Sequence, residues 1–182
     1  MRTKVEATIE DLYHVPENGK AELVNGEIVL MSPTGGLPGY AADEIVNALR
    51  AYARLRGTGY AVGDNKAFVV NLPNRKSFSP DAAFYVGPLT MRFFDGPPLF
   101  AIEVRSEGDY GPAAERLMKA KRADYFAAGT QVVWDVDLLS EDVVRVYRAT
   151  DPDSPTMCRR GDAAEAEPVL PSWPMSVDDL FP

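Results

Sequence analysis

Two carboxylates in this chain stand where ionised groups are costly. Glu103 interrupts the apolar run Leu99-Phe100-Ala101-Ile102-Glu103-Val104, a pattern typical of a strand buried on both faces. A carboxylate there loses its hydration and needs a hydrogen bond, a cation or a metal. The two-residue period of a strand puts Glu103 and Arg105 on one face. An ion pair between them and a metal site with Arg105 beside it are both open. Asp81 follows Pro80 at the mouth of another strand, where proline favours an extended entry. If the two strands are neighbours, both carboxylates reach one oxygen-lined site. Mg²⁺ is typically held by one or two carboxylates plus water and substrate phosphate. A cation there generates hydroxide and neutralises developing phosphoryl charge.

A lysine offers itself to the same site. Ala114, Leu117, Met118, Lys121, Tyr125 and Ala128 recur at helical spacing on one face. Lys121 then lies in the core-facing stripe, while Arg116, Lys119 and Arg122 are free to face solvent. Such a lysine either snorkels to water or meets an anion: Glu103, Asp81 or a substrate phosphate. In the second case it would position the attacking water or stabilise the transition state. Tyr125, one turn on, reaches the same group or simply fills the core.

Other chemistries are thinly supplied. The lone His14 and lone Cys158 argue against a Ser-His-Asp triad, an intrachain disulfide and a CxxC metal site. Cys158, beside Arg159 and Arg160, reads as a non-catalytic thiol. Asp135 and Asp137, after Trp134, read as a solvated strand end, with Trp134 and Phe100 in the core. Gly35-Gly36 lacks the Gly-Lys-Ser/Thr of a phosphate loop and reads as connection.

The elements that must position these groups are legible in outline. Thr8 and Asp11 frame a short capped helix. Glu22 to Met31 reads as a hairpin turning at Asn25-Gly26. Ser32 to Gly39 is a Pro/Gly loop, and Tyr40 to Leu55 a helix stopped by Gly57. Strands are expected at Gly59–Val62, Ala67–Leu72, Ala82–Val86, Leu99–Arg105, Gln131–Val136 and Val143–Tyr147. A second long helix, Pro112 to Ala128, is closed by Gly129. The remainder is Pro-rich and acidic, with a docking patch at Val177, Leu180 and Phe181. This order implies an α/β fold around a mixed sheet.

The 182 residues suit a single domain, 1–182, and 46% apolar with 25% charged residues is ordinary for a globular chain. No window is long and apolar enough for a transmembrane helix. Met1 to Glu6 shows no apolar leader; the expected location is cytoplasmic, with no membrane partner. The net charge of −8 is uneven: residues 1–45 carry −5, 46–76 carry +5, 77–134 carry −1 and 135–182 carry −7. An acidic protein is a poor non-specific nucleic-acid binder. The +5 segment is either a contact face for nucleic acid or, at Arg50 and Arg54, a solvated helix face.

An ordered set of short stretches resembles the Uma-two family of restriction-endonuclease-like proteins. They are Glu22-Leu23-Val24-Asn25-Gly26-Glu27, Met31-Ser32-Pro33, Ser79-Pro80-Asp81, Glu103-Val104-Arg105-Ser106, Lys121 to Gly129, and Val133-Trp134-Asp135-Val136-Asp137. The likeness runs from about Thr8 to Phe181. It implies a restriction-endonuclease-like PD-(D/E)XK fold, with a mixed central sheet flanked by helices and an N-terminal hairpin. It implies Asp81 and Glu103 as metal ligands, and Lys121 as the catalytic lysine moved from strand to helix. It also implies Glu22 as a recurrent glutamate that either completes the site or serves the hairpin. Arg105 stands where the general motif has lysine; arginine cannot transfer a proton but can hold phosphate. Ala42 stands near the position where many members carry a histidine.

The resulting expectation is a Mg²⁺- or Mn²⁺-dependent endonuclease that hydrolyses DNA by direct water attack. Asp81, Glu103, Lys121 and Glu22 would be catalytic, and Arg105 would grip a backbone phosphate. A homodimer would supply two sites for two strands. The alternatives are a catalytically inactive nuclease-fold accessory or nucleic-acid-binding module, and a metal-dependent hydrolase of a small phosphorylated substrate.

Overall fold

The turn residues of the sequence set the first elements in place. The computed structural model describes residues 5–182, the Asn18 side chain excepted; the leader reading at Met1–Lys4 lies outside the described residues. Thr8 and Asp11 close a reciprocal capping box on α1 (Ile9–Leu12). Strands β1 (Ala21–Val24) and β2 (Glu27–Leu30) form the expected hairpin. Asn25 and Gly26 take the two positive φ angles, 51° and 72°, of its tight turn.

Helix α2 (Gly36–Arg56) begins four residues before the expected Tyr40. Pro38 had argued for a loop, but it falls in the first turn, where the helix leaves its N–H groups unbonded. The first intrahelical bond is donated by Gly39 to the Gly35 carbonyl, at 2.9 Å. The chain then runs through β3 (Tyr60–Gly63), β4 (Phe68–Val69), β5 (Ser77–Phe78), β6 (Ala82–Tyr85), β7 (Phe94–Asp95) and β8 (Phe100–Val104). Gly59 makes the corner before β3 at φ +71°, where a Cβ would lie 2.2 Å from Phe84 Cζ, so no larger residue fits. After α3 (Pro112–Ala128) come β9 (Val132–Val136), β10 (Val144–Arg148), β11 (Asp151–Cys158), β12 (Ala163–Glu165) and β13 (Pro174–Ser176).

Six strands form the central sheet in the order β11-β10-β9-β8-β6-β3. Only β8 and β9 are parallel, and α3 connects them; the other neighbours are antiparallel. This is the mixed sheet flanked by helices that the sequence implied. On one face, Ile45 and Leu49 of α2 pack with Phe84, Phe100, Ile102 and Trp134. Val177 and Leu180, the expected docking patch, close the same layer with Trp173. On the other face, Ala83, Tyr85, Ala101 and Val133 meet Phe68, Phe78 and Tyr125. Fully burying a side chain such as Phe100 or Ile102 contributes about 1.5–3 kcal/mol.

Strand β11 was not expected, because Pro152 and Pro155 read as loop. It lies at the sheet's edge, where a missing N–H breaks no central ladder. Leu117 also departs from the expected core stripe: it is 72% exposed, and with Met118 it lines a cleft instead. Among the described residues no helix is long and apolar enough to cross a membrane.

Candidate active site

Asp81 and Glu103 face each other across two strands. The β6–β8 ladder pairs Ala82 with Ile102, so the next position outward sets Asp81 opposite Glu103. Strand alternation places both on the α3 side, in line with Ala83 and Ala101. A backbone bond from the Asp81 N–H to the Ile102 carbonyl, at 3.1 Å, extends the ladder to this point. Asp81 Oδ2 accepts the N–H of Val104 at 2.7 Å.

Helix α3 brings Lys121 and Tyr125, one turn apart, to the same group. Lys121 Nζ lies 2.8 Å from Glu103 Oε1 and 2.9 Å from Glu22 Oε1, so the lysine meets anions inside rather than snorkelling. The Tyr125 hydroxyl donates to Glu103 Oε1 at 2.6 Å. Glu22 arrives on β1 because the hairpin is stitched to the segment before β5. Lys76 donates to the Leu23 carbonyl, Asn25 to the Asn74 carbonyl, and Leu23 to Ser77 Oγ. Glu22 also accepts the Ser79 N–H at 2.8 Å and pairs with Arg75, whose Nε holds Asp124 at 2.9 Å. The structure thus gathers Asp81, Glu103, Lys121 and Glu22.

Arg105 takes another direction. It does not join Glu103 in the open ion-pair alternative. It forms a two-pronged pair with Asp135, both bonds 2.8 Å, and reaches Glu115. The parallel register that sets Glu103 beside Asp135 explains the pairing. Asp135 and Asp137 are therefore buried, not a solvated strand end, and Arg145 and Arg122 share their charge. Arg122 turns inward as well, with its guanidinium 4.0 Å over the Tyr147 ring. Arg105 still lines the wall of the cleft.

Lys20 is a site residue that sequence reasoning missed. Its Nζ lies 2.6 Å from Asp81 Oδ1 and 2.7 Å from Asp64 Oδ1. Its signal was the two-residue spacing from Glu22, which puts both on one side of an extended chain. Arg75, inside the +5 segment, was missed too.

The electrostatics separate the two glutamates. Burial pushes both upward; for Glu22, Lys121 and Arg75 outweigh it and hold the carboxyl below its usual range. For Glu103, burial prevails over Lys121, and Asp81 and Glu22 add to it, so its carboxyl is raised. Burial disfavours the Lys121 ammonium, but Glu103 and Glu22 raise it well above the ordinary lysine value. At neutral pH Lys121 is a fixed cation and not a proton acceptor. Burial and Glu103 keep Tyr125 a neutral phenol.

These groups line a cleft of about 530 Å³ between the hairpin, the sheet end and α3. Its wall carries five cations (Lys20, Arg75, Arg105, Lys121, Arg122) against five carboxylates (Glu22, Asp81, Glu103, Asp109, Asp135). The lining is thus far richer in cations than a protein of net charge −8 would suggest. Among the described residues no group of three or more His, Cys, Asp or Glu is arranged to hold a metal ion. Two hard oxygen donors suit Mg²⁺ or Mn²⁺, which complete their shells with water and phosphate, and not a cation needing a protein cage.

The profile of the Uma2 family, described as "Putative restriction endonuclease", matches residues 7–178. The chain belongs to the Uma2 family. A solved structure from Anabaena variabilis ATCC 29413, titled a "putative nuclease belonging to DUF820", is similar in fold, with a TM-score of 0.75. It is 19% identical, over 96% of this chain and 97% of that one. At that identity the likeness speaks for the fold alone, which is the nuclease-like fold of Uma2. No curated protein matches the chain. Within this Uma2 chain, the stretches that carried the resemblance are those that meet at the cleft.

Proposed function

We propose that this protein hydrolyses DNA phosphodiester bonds with a divalent cation, Mg²⁺ or Mn²⁺, held by Asp81 and Glu103. The observation that carries the reading is the cross-strand carboxylate pair with the Lys121 ammonium 2.8 Å from Glu103. A bound cation supplies a water of lowered pKa and neutralises phosphoryl charge. Lys121, permanently charged, orients the attacking water and offsets charge in the transition state. Glu22 and Tyr125 hold Lys121 and Glu103 in register. Arg105, its charge already met by Asp135 and Glu115, lines the wall along which a backbone phosphate would lie. A divalent cation in place adds two positive charges beside the carboxylate pair, which favours a polyanion despite the overall charge. Two copies about a two-fold axis would cut both strands, and the cytoplasm is the compartment where such a substrate is met.

A second reading, a nuclease-fold accessory or nucleic-acid-binding module without catalysis, is favoured by a specific observation. Lysines already neutralise both carboxylates, and among the described residues no three His, Cys, Asp or Glu side chains are arranged to hold a metal ion together. That state needs no cation and no rearrangement. Incubation with supercoiled plasmid and single-stranded DNA, with Mg²⁺, Mn²⁺ or EDTA, decides between the two. The nuclease reading expects metal-dependent cutting, lost in Asp81→Asn and Glu103→Gln. DNA binding without cutting, unchanged by EDTA, supports the second reading. Cutting that survives both substitutions overturns the assignment of the pair.

A further inference from the structure

Lys20 sits between two carboxylates that do different work. Asp81 belongs to the cation pair; Asp64, at the end of β3, does not line the cleft with it. The ammonium bridges them at 2.6 and 2.7 Å. Asp64 is held in place, since its Oδ1 also accepts the Asn65 N–H at 2.8 Å. The Lys20 side chain is 12% exposed, whereas Asp64 is 43% exposed and Asp81 11%. One end of the bridge is therefore wet and the other enclosed. Burial opposes the Lys20 charge, but Asp81 and Glu103 together with Asp64 raise its ammonium above the ordinary value. It remains a cation within the field of both members of the pair.

A lysine and a divalent cation cannot both claim Asp81 Oδ1 at full strength. Two like charges crowded on one enclosed carboxylate repel strongly. Asp64 offers the lysine a place to go with little movement, because that contact is already made. We propose that Lys20 is an exchangeable internal counter-ion: it holds Asp81 until a divalent cation enters, then yields that oxygen and is kept by Asp64 alone. This rests on the cation reading of Asp81 and Glu103. It makes Lys20 and Asp64 positioning residues that set how tightly the site takes its cation.

The test is Mn²⁺ binding without DNA, by calorimetry and by the electron spin resonance signal of free Mn²⁺, on the full chain. Lys20→Met is expected to bind Mn²⁺ about tenfold or more tighter than wild type, since a unit charge leaves the ligand. Lys20→Arg is expected to bind like wild type. Asp64→Asn is expected to weaken binding by strengthening the hold of Lys20 on Asp81, and to have little effect when combined with Lys20→Met. Thermal melts confirm that each variant is folded. Wild-type binding that Lys20→Met leaves unchanged, or that Lys20→Arg tightens equally, overturns the counter-ion role while the cation site stands. Absence of Mn²⁺ binding in wild type and Lys20→Met alike overturns the cation site itself, and the exchange with it.

Discussion

Asp81 accepts the backbone N–H of Val104, the residue that follows Glu103, at 2.7 Å. One carboxylate thereby fixes the strand that carries the other. The same oxygen pair that could serve a cation is also a structural brace between β6 and β8. The site and the sheet end consequently share a group, and a substitution at Asp81 reports on both.

Asp81→Ala leaves the buried Val104 N–H without its partner and should cost about 1–3 kcal/mol of folding stability. Asp81→Asn keeps an acceptor in place and should cost less, while removing the charge a cation needs. Urea denaturation beside Mn²⁺ titration separates the two effects. Equal stability of the two variants would mean that the brace contributes nothing.

Glu22 predicts a pH dependence. Its folded-state carboxyl lies below the ordinary value of 4.5 because Lys121 and Arg75 outweigh burial. A depressed acid contributes stability that is present above its unfolded value and lost as pH falls through the folded one. Denaturation curves from pH 7 to pH 3 should therefore show the wild-type advantage over Glu22→Gln shrinking below about pH 4.5. Glu22→Ala, which leaves Arg75 and Lys121 short of a buried partner, should cost about 3–5 kcal/mol at pH 7.

Arg105→Lys restores the residue type of the general nuclease motif at that position, but it should not improve catalysis. The Arg105 side chain is 2% exposed, and its guanidinium grips Asp135 through two parallel bonds, a geometry an ammonium cannot reproduce. A loss of about 1–3 kcal/mol is expected. Plasmid cutting should stay level or fall, because Lys121 already occupies the cationic position beside Glu103. A gain in cutting would show that the strand position still governs the chemistry.

Tyr125→Phe removes the hydroxyl that donates to Glu103 Oε1 and nothing of the ring that stacks on Phe78 at 4.0 Å. The expected cost is about 1 kcal/mol, with the packing intact. If the phenol positions Glu103, Mn²⁺ affinity shifts as well, and calorimetry on the variant reads that shift directly.

Asp81, Glu103 and Lys121 were legible because each breaks a local pattern: an acid after proline at a strand mouth, an acid inside an apolar strand, a cation in an apolar helix stripe. Lys20, Asp64 and Arg75 break none. Their meaning comes from contacts across large sequence separations, made when the hairpin docks beside β5, and spacing along the chain carries no record of that docking. Asp135 looked like a solvated strand end because its partner, Arg105, is fixed only by the parallel register of β8 on β9. The central strands and both long helices were readable from periodicity and glycine stops. Helix α2 was clipped because Pro38 is tolerated in a first turn, and Leu117 was misplaced because α3 leans its N-terminal half over a cleft and not onto the sheet.

The prolines of β11 bear on how this protein behaves when crowded. A strand at the rim of a sheet invites a foreign strand to continue the ladder, the first step toward fibrillar aggregates. Pro152 and Pro155 withhold two of the N–H groups that a newcomer would need. The same residues that hid this strand in the sequence leave the β11 side of the sheet a poor template for runaway assembly.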